Sequence, residues 1–206
     1  FCSAMGEQAV LLEPGMERTR RAAISAIVSL VRMRGASLEA ELPLFVDTVM
    51  TPLDPSVPQL RVGSLSVSTA ALRELVRRYP MMHFNHPTQR LAVGTVDGVV
   101  LLYDLRTATK WRILQGHQRA ISALSFSAAG DWVASYSAGD RTLRWWLAGS
   151  NGLFGFIGLQ GSCQEVVQVA TDLTSDESAT TLEWTSPTCV ALSHRKEIVG
   201  FFAKPV

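Results

Sequence analysis

The segment "LAVGTVDGVVLLYDL", Leu91 to Leu105, recurs in outline at "VASYSAGDRTLRWWL", Val133 to Leu147, 42 positions further on. Each copy alternates apolar and polar residues, pauses at a turn and alternates again. Asp-Gly between two β-branched runs is a strong hairpin signal, because glycine reaches positive φ without steric cost. Asp140 falls near the turn position of Asp97, with one extra residue in the second turn, and Trp146 lies opposite Tyr103. Hairpins repeating at roughly 40–45 residues are the pattern of a propeller blade. The text between them fits, since "KWRILQGH" reads as a strand running into Gly116-His117 and "ISALSFSAAGDW" as the next strand and its turn.

From Met81 onward the period is two. "MMHFN", "RLAVG", "GVVLLYD" and "KWRILQ" make a first four-stranded unit. "ISALSFS", "WVASYS", "TLRWWL" and the run "LFGFIGL" make a second. The tail "TTLEWTSPTCVALSHRKEIVGFFA" offers up to three more short strands around a His-Arg-Lys-Glu turn. That amounts to two or three blades, and a propeller closes with about 4–8. The blades are therefore expected to form an incomplete propeller, with the missing ones supplied by the same protein or by a partner.

Before Pro80 the period is helical. Ile24, Ile27, Val28 and Val31 form one apolar stripe, with Arg18, Arg21, Ser25 and Arg32 elsewhere and Gly35 at the C-cap position. Ser37 is a candidate cap, but Pro43 would break the interior of a helix begun there. A second helix is expected to start at Pro43 and stop at Pro52 and Pro55. A third starts near Pro58, turns Leu65, Thr69, Leu72 and Val76 to one face, and ends before Pro80 with Arg77 and Arg78 favourably placed on its dipole. The expected organisation is a solenoid-like α-helical segment over 1–79 and blades over 80–206, a mixed but mainly β chain. The chain is read as part of a longer protein, with no leader sequence to account for.

Composition narrows the function. A net charge of +1 over 206 residues leaves no electrostatic footprint for nucleic acid or an acidic membrane surface. Cys2, Cys163 and Cys189 are far apart and read as reduced thiols of a cytosolic protein. No apolar run approaches the ~18 residues that span a bilayer. His83-x-x-His86 lacks further ligands at metal spacing and reads as a pair of surface or turn histidines. The glycines at 149, 152, 155, 158 and 161 match no phosphate-binding loop. Their interleaved residues instead suggest an outer strand, with Phe154 and Phe156 a candidate partner contact. "TDLTSDESATT" reads as a solvated loop. Neither Ser193 nor the cysteines make a convincing nucleophile for His194, because neighbours on a strand point to opposite faces. No enzyme activity, cofactor or metal is expected.

The second unit resembles the WD-repeat family. Gly116-His117, Ser135, Asp140 and Trp146 stand at the positions of that family's structural tetrad, in which indole, hydroxyl, imidazole and carboxylate satisfy one another in the blade interior. Leu147 replaces the usual Asp after the Trp, and the first unit has Val93 and Tyr103 in place of the Ser and Trp. The helix "ALRELVRRYP" followed by "HFNHPTQRLAVGTVDGVVLLYDLRTATKWRILQGH" is similar to the C-terminal part of the rabconnectin-3 beta subunits. That resemblance implies a non-enzymatic cytoplasmic scaffold on vesicle or endomembrane surfaces. It would work with a rabconnectin-3 alpha-type subunit and vacuolar-type ATPase subunits to regulate the proton pump. A vesicle coat or tethering subunit is the rival reading, because solenoid-plus-propeller chains also build coats.

Overall fold

The computed structural model describes residues 36–149, 160–161, 163–173, 176 and 179–205, together with Ala22, Ala26 and Ser29, which are helical and exposed. The stripe residues Ile24, Ile27, Val28 and Val31 lie outside this set. A short helix α1 (Ala36–Ala40) precedes α2 (Leu42–Met50), which carries Pro43 in its first turn and runs into a 3₁₀ turn at Thr51–Leu53. α1 corrects the expectation that helix begins at Pro43: a separate turn of helix fits ahead of it because the break falls at Glu41. α3 spans Pro58–Arg78, with proline in its first turn and two arginines in its last.

The face that α3 buries differs from the one expected. Ser68, Ala71, Leu72 and Leu75 are buried, whereas Leu65 is 51% exposed. Small residues at 68 and 71 let α2 approach closely, and the Ser68 hydroxyl donates to the Val49 carbonyl at 2.9 Å. The apolar stripe 65–69–72–76 is consequently only half used.

Among the described residues the strands form three successive sheets. In the first, β1 (Met82–Asn85), β2 (Arg90–Gly94), β3 (Val99–Asp104) and β4 (Thr109–Gln115) form an antiparallel meander. The second contains β5 (Ala123–Phe126), β6 (Trp132–Ser137) and β7 (Thr142–Leu147). β8 (Gln160–Gly161) adds to β4 in parallel, and β9 (Cys163–Gln168) is the fourth strand of the second sheet, antiparallel to β7. β9 thus holds the place expected for 153–159, a run outside the described residues. The third sheet is β10 (Thr180–Ser186), β11 (Cys189–His194) and β12 (Glu197–Ala203).

The register separates two faces of the first sheet. His83, Asn85, Ala92 and Gly94 turn toward the second sheet: the Asn85 amide donates to the Ser127 and Ala128 carbonyls, and His83 lies against Phe126. Phe84, Leu91 and Tyr103 share the opposite face, and there the helices pack. Leu42, Val46, Met50, Leu72 and Leu75 belong to one continuous core with Leu91, Val93 and Tyr103. The helices therefore cover the face of the first sheet that looks away from the second. Lys110 adds an ion pair to Asp47 at 3.0 Å, and Arg61 donates to the Arg106 carbonyl at 2.9 Å. On the far side of the second sheet, Trp145 meets Trp184 of β10 edge to face at 5.6 Å.

The hairpin that opens the repeat closes through three residues. Thr95 N–H donates to the Val99 carbonyl, and Gly98 takes φ +79°. A side chain at Gly98 would run into the His117 carbonyl, so the glycine serves both the turn and the junction with the next repeat. The β11–β12 turn has the opposite economy, because Arg195 and Lys196 hold φ of 51° and 71° without glycine. Gly98→Ala is expected to lower stability by about 2–4 kcal/mol, from φ strain plus overpacking. Lys196→Gly is expected to raise it by about 0.5–1 kcal/mol. Urea denaturation of the two variants tests both signs.

Candidate functional site

In the middle sheet, an unbroken chain of hydrogen bonds passes through four side chains that start on different segments. Trp146 on β7 donates its indole N–H to the Ser135 hydroxyl on β6 at 2.8 Å. That hydroxyl lies 2.9 Å from His117 Nε2, just ahead of β5. His117 Nδ1 lies 3.2 Å from the Asp140 carboxylate in the β6–β7 turn and 3.1 Å from the Thr142 hydroxyl. Asp140 also accepts the Gln118 backbone N–H at 2.8 Å. Ser135 and Trp146 are fully buried, and His117 nearly so. Gly116 is needed beside His117, since a Cβ there would sit 2.9 Å from the Trp146 ring and from the Arg144 guanidinium.

The acceptor opposite Nδ1 sets the tautomer. Burial, and next the Arg144 guanidinium, push the His117 pKa down to about 4, although Asp140 pulls the other way. The ring is therefore neutral at pH 7 and carries one hydrogen. The Asp140 carboxylate only accepts, so that hydrogen sits on Nδ1 and is donated to it. Nε2 is then bare and accepts from the Ser135 hydroxyl, whose oxygen accepts the indole N–H. The group is a neutral histidine at pH 7.

The first sheet has no such chain. Val93 and Tyr103 stand at the corresponding places and are buried. Burial, helped by the neighbouring Asp47 carboxylate, raises the Tyr103 pKa, so the phenol stays protonated. The two sheets are instead clasped by groups that the sequence did not single out. Asn85 Oδ1 accepts from Thr88 N–H and Oγ1 while its amide spans to the second sheet. Arg112 donates to the Leu147 carbonyl at 3.1 Å, and Arg90 to the Ala148 carbonyl at 3.4 Å. An Asn ending a strand before His-Pro-Thr reads from sequence as turn chemistry, which hides its long-range bond.

The remaining candidates are dispersed. His86 is exposed in its turn and contacts Phe84 edge-on at 4.8 Å. His83 is half-buried rather than a surface group: its Nδ1 accepts the Phe126 N–H at 3.2 Å, and burial lowers its pKa. The expectation of two surface or turn histidines is corrected for this one, because β1 faces the second sheet. His194 pairs with the Thr180 hydroxyl at 3.1 Å across β10 and β11. Cys163 and Cys189 are free thiols. Phe154 and Phe156 lie outside the described residues. No group of three or more metal-ligating side chains occurs among the described residues, and no described helix is long and apolar enough to cross a membrane.

Comparison with known proteins finds a family match over the same residues. Residues 109–146 match the WD domain, G-beta repeat. The matched segment runs from β4 to Trp146. Over 38 residues the chain is 50% identical to Mitochondrial division protein 1 of Candida glabrata, an alignment covering 18% of this chain and 5% of that protein. The chain therefore spans only a small part of the curated relative it matches. Among solved structures, it is similar to the Cps50 (Swd1) β-propeller domain of Myceliophteria thermophila, at 24% identity and a TM-score of 0.43, over 57% of this chain and 31% of that one. Hsv2 of Kluyveromyces lactis gives 17% identity and a TM-score of 0.41, over 57% and 38%.

Two outcomes are expected from the network. Trp146→Ala should cost about 3–5 kcal/mol and Asp140→Ala about 1–3 kcal/mol, measured by chemical denaturation. Because the folded-state pKa of His117 lies below the unfolded value of 6.5, its contribution is complete above pH 6.5 and is lost as pH falls toward about 4. Within that window stability should drop by up to about 1.4 kcal/mol per pH unit. His117→Gln should flatten the slope there, and an unchanged slope would contradict the assignment.

Proposed function

We propose that the chain is a non-enzymatic protein-binding scaffold that regulates assembly or activity of the vacuolar-type proton ATPase. The observation that carries the scaffold part is the closed network in the WD repeat. Its polar groups find their partners within the sheet and its turns, so the blade is a rigid support whose outward loops are left to bind proteins. The finer part rests on the similarity of the helix-to-blade join to the rabconnectin-3 beta subunits. In support, α3 leads directly into β1 and shares a core with the first sheet. In this reading the segment over 1–79 and the blades over 80–206 work as one docking body. The partners are a rabconnectin-3 alpha-type subunit and ATPase subunits, and the protein is cytoplasmic and held at vesicle surfaces through them.

Affinity purification of the tagged full-length protein tests the reading. Co-purification of the alpha-type subunit and ATPase subunits, with weakened vesicle acidification on depletion, is the expected result. Recovery of coat lattice components in their place would contradict it and favour the coat or tethering role. Phe154 and Phe156 form the proposed contact, because aromatic anchors dominate interface energetics. Changing both to Ser should reduce co-purification about tenfold or more without altering the melting temperature.

A further inference from the structure

An apolar groove of about 470 Å³ lies between α3 and the first sheet. Its floor is Leu53, Leu72, Val76, Phe84, Leu91 and Leu105. Leu65 stands at its edge, and Val62, one turn earlier, is 73% exposed. On α3 the residues Val62, Leu65, Thr69, Leu72 and Val76 follow a 3-4-3-4 spacing, the seam that one helix presents to another in a coiled coil. The first sheet covers the later part of that seam, and the earlier part is open.

The charges select the occupant. With Val62 at an a position, Arg61 falls at g and Arg73 at e, the flanking positions that set partner choice by charge. Arg106 also lines the groove but is held by Asp104 in a bidentate pair, and no acidic side chain lines it. The chain's own apolar stripe at Ile24, Ile27, Val28 and Val31 is accompanied by Arg18, Arg21 and Arg32, so it would bring like charges to the site. We propose that this groove receives an acidic amphipathic helix of a partner protein, which lays apolar a and d residues along α3 and carboxylates beside Arg61 and Arg73. The proposal deepens the scaffold reading and rests on it, naming the chemistry of one contact.

The test uses the full-length protein and fluorescein-labelled helical peptides of about 18 residues, with Leu at a and d and either Glu or Lys at e and g. The Glu peptide should bind about tenfold more tightly than the Lys peptide at low salt. Leu65→Glu should abolish binding, and Arg73→Glu should reverse the preference. Both side chains are exposed, so the melting temperatures should not change. Equal binding of the two peptides, no binding of either, or indifference to Leu65→Glu overturns the proposal. Tighter binding of a peptide comprising residues 16–35 also overturns it, by assigning the groove to the chain itself. Recovery of ATPase subunits on the same protein is scored separately: the peptides decide the groove, and the recovery decides the scaffold reading.

Discussion

The hydrogen-bond chain from Trp146 through Ser135 and His117 to Asp140 sets what the rest of the molecule can do. It ties β7, β6, the segment entering β5 and the β6–β7 turn at one buried point. The cost of burying an indole, a hydroxyl and an imidazole is offset only when every member has its partner. The sheet it holds is the middle one of three. The first sheet leans on it through Asn85 and His83, and the third through Trp145 and Trp184.

The first sheet shows how a blade holds together without that device. Its helix-facing side is apolar, with Val93 and Tyr103 where the second sheet has polar groups. Apolar faces give no directional lock and must be covered. One face is covered by the second sheet and the other by α2 and α3. The junctions carry the polar specificity instead, through the amide of Asn85, the guanidinium of Arg112 and the pair of Lys110 with Asp47. The helices are thus structural partners of the blades, and the groove that α3 leaves open is a consequence of how it seats: small residues go to α2, and half of its apolar seam goes to solvent.

Strands that alternate around an Asp-Gly turn are legible in sequence because side-chain direction and glycine φ are local properties. The side chains at 117, 135, 140 and 146 carry a pattern, since they stand at family-like offsets in and between the strands, but their distances and the histidine tautomer do not follow from spacing. Long-range features were hidden. The buried face of α3 was misplaced because Ser68 and Ala71 pack by being small, which no hydrophobic pattern marks. β9 was missed because its sequence, CQEVVQ, is mostly polar and half-exposed, and its pairing with β7 comes from topology. The junction role of His83 depends on which face of β1 meets the second sheet, a tertiary fact.

The most direct test is the protonation of His117, read from the imidazole ¹⁵N shifts and their couplings to ring hydrogens across a pH titration. The account predicts a neutral ring at pH 7 with the proton on Nδ1, a bare Nε2, and no titration until the pH approaches about 4. A ring that is charged at pH 7, or neutral with its proton on Nε2, would contradict the account.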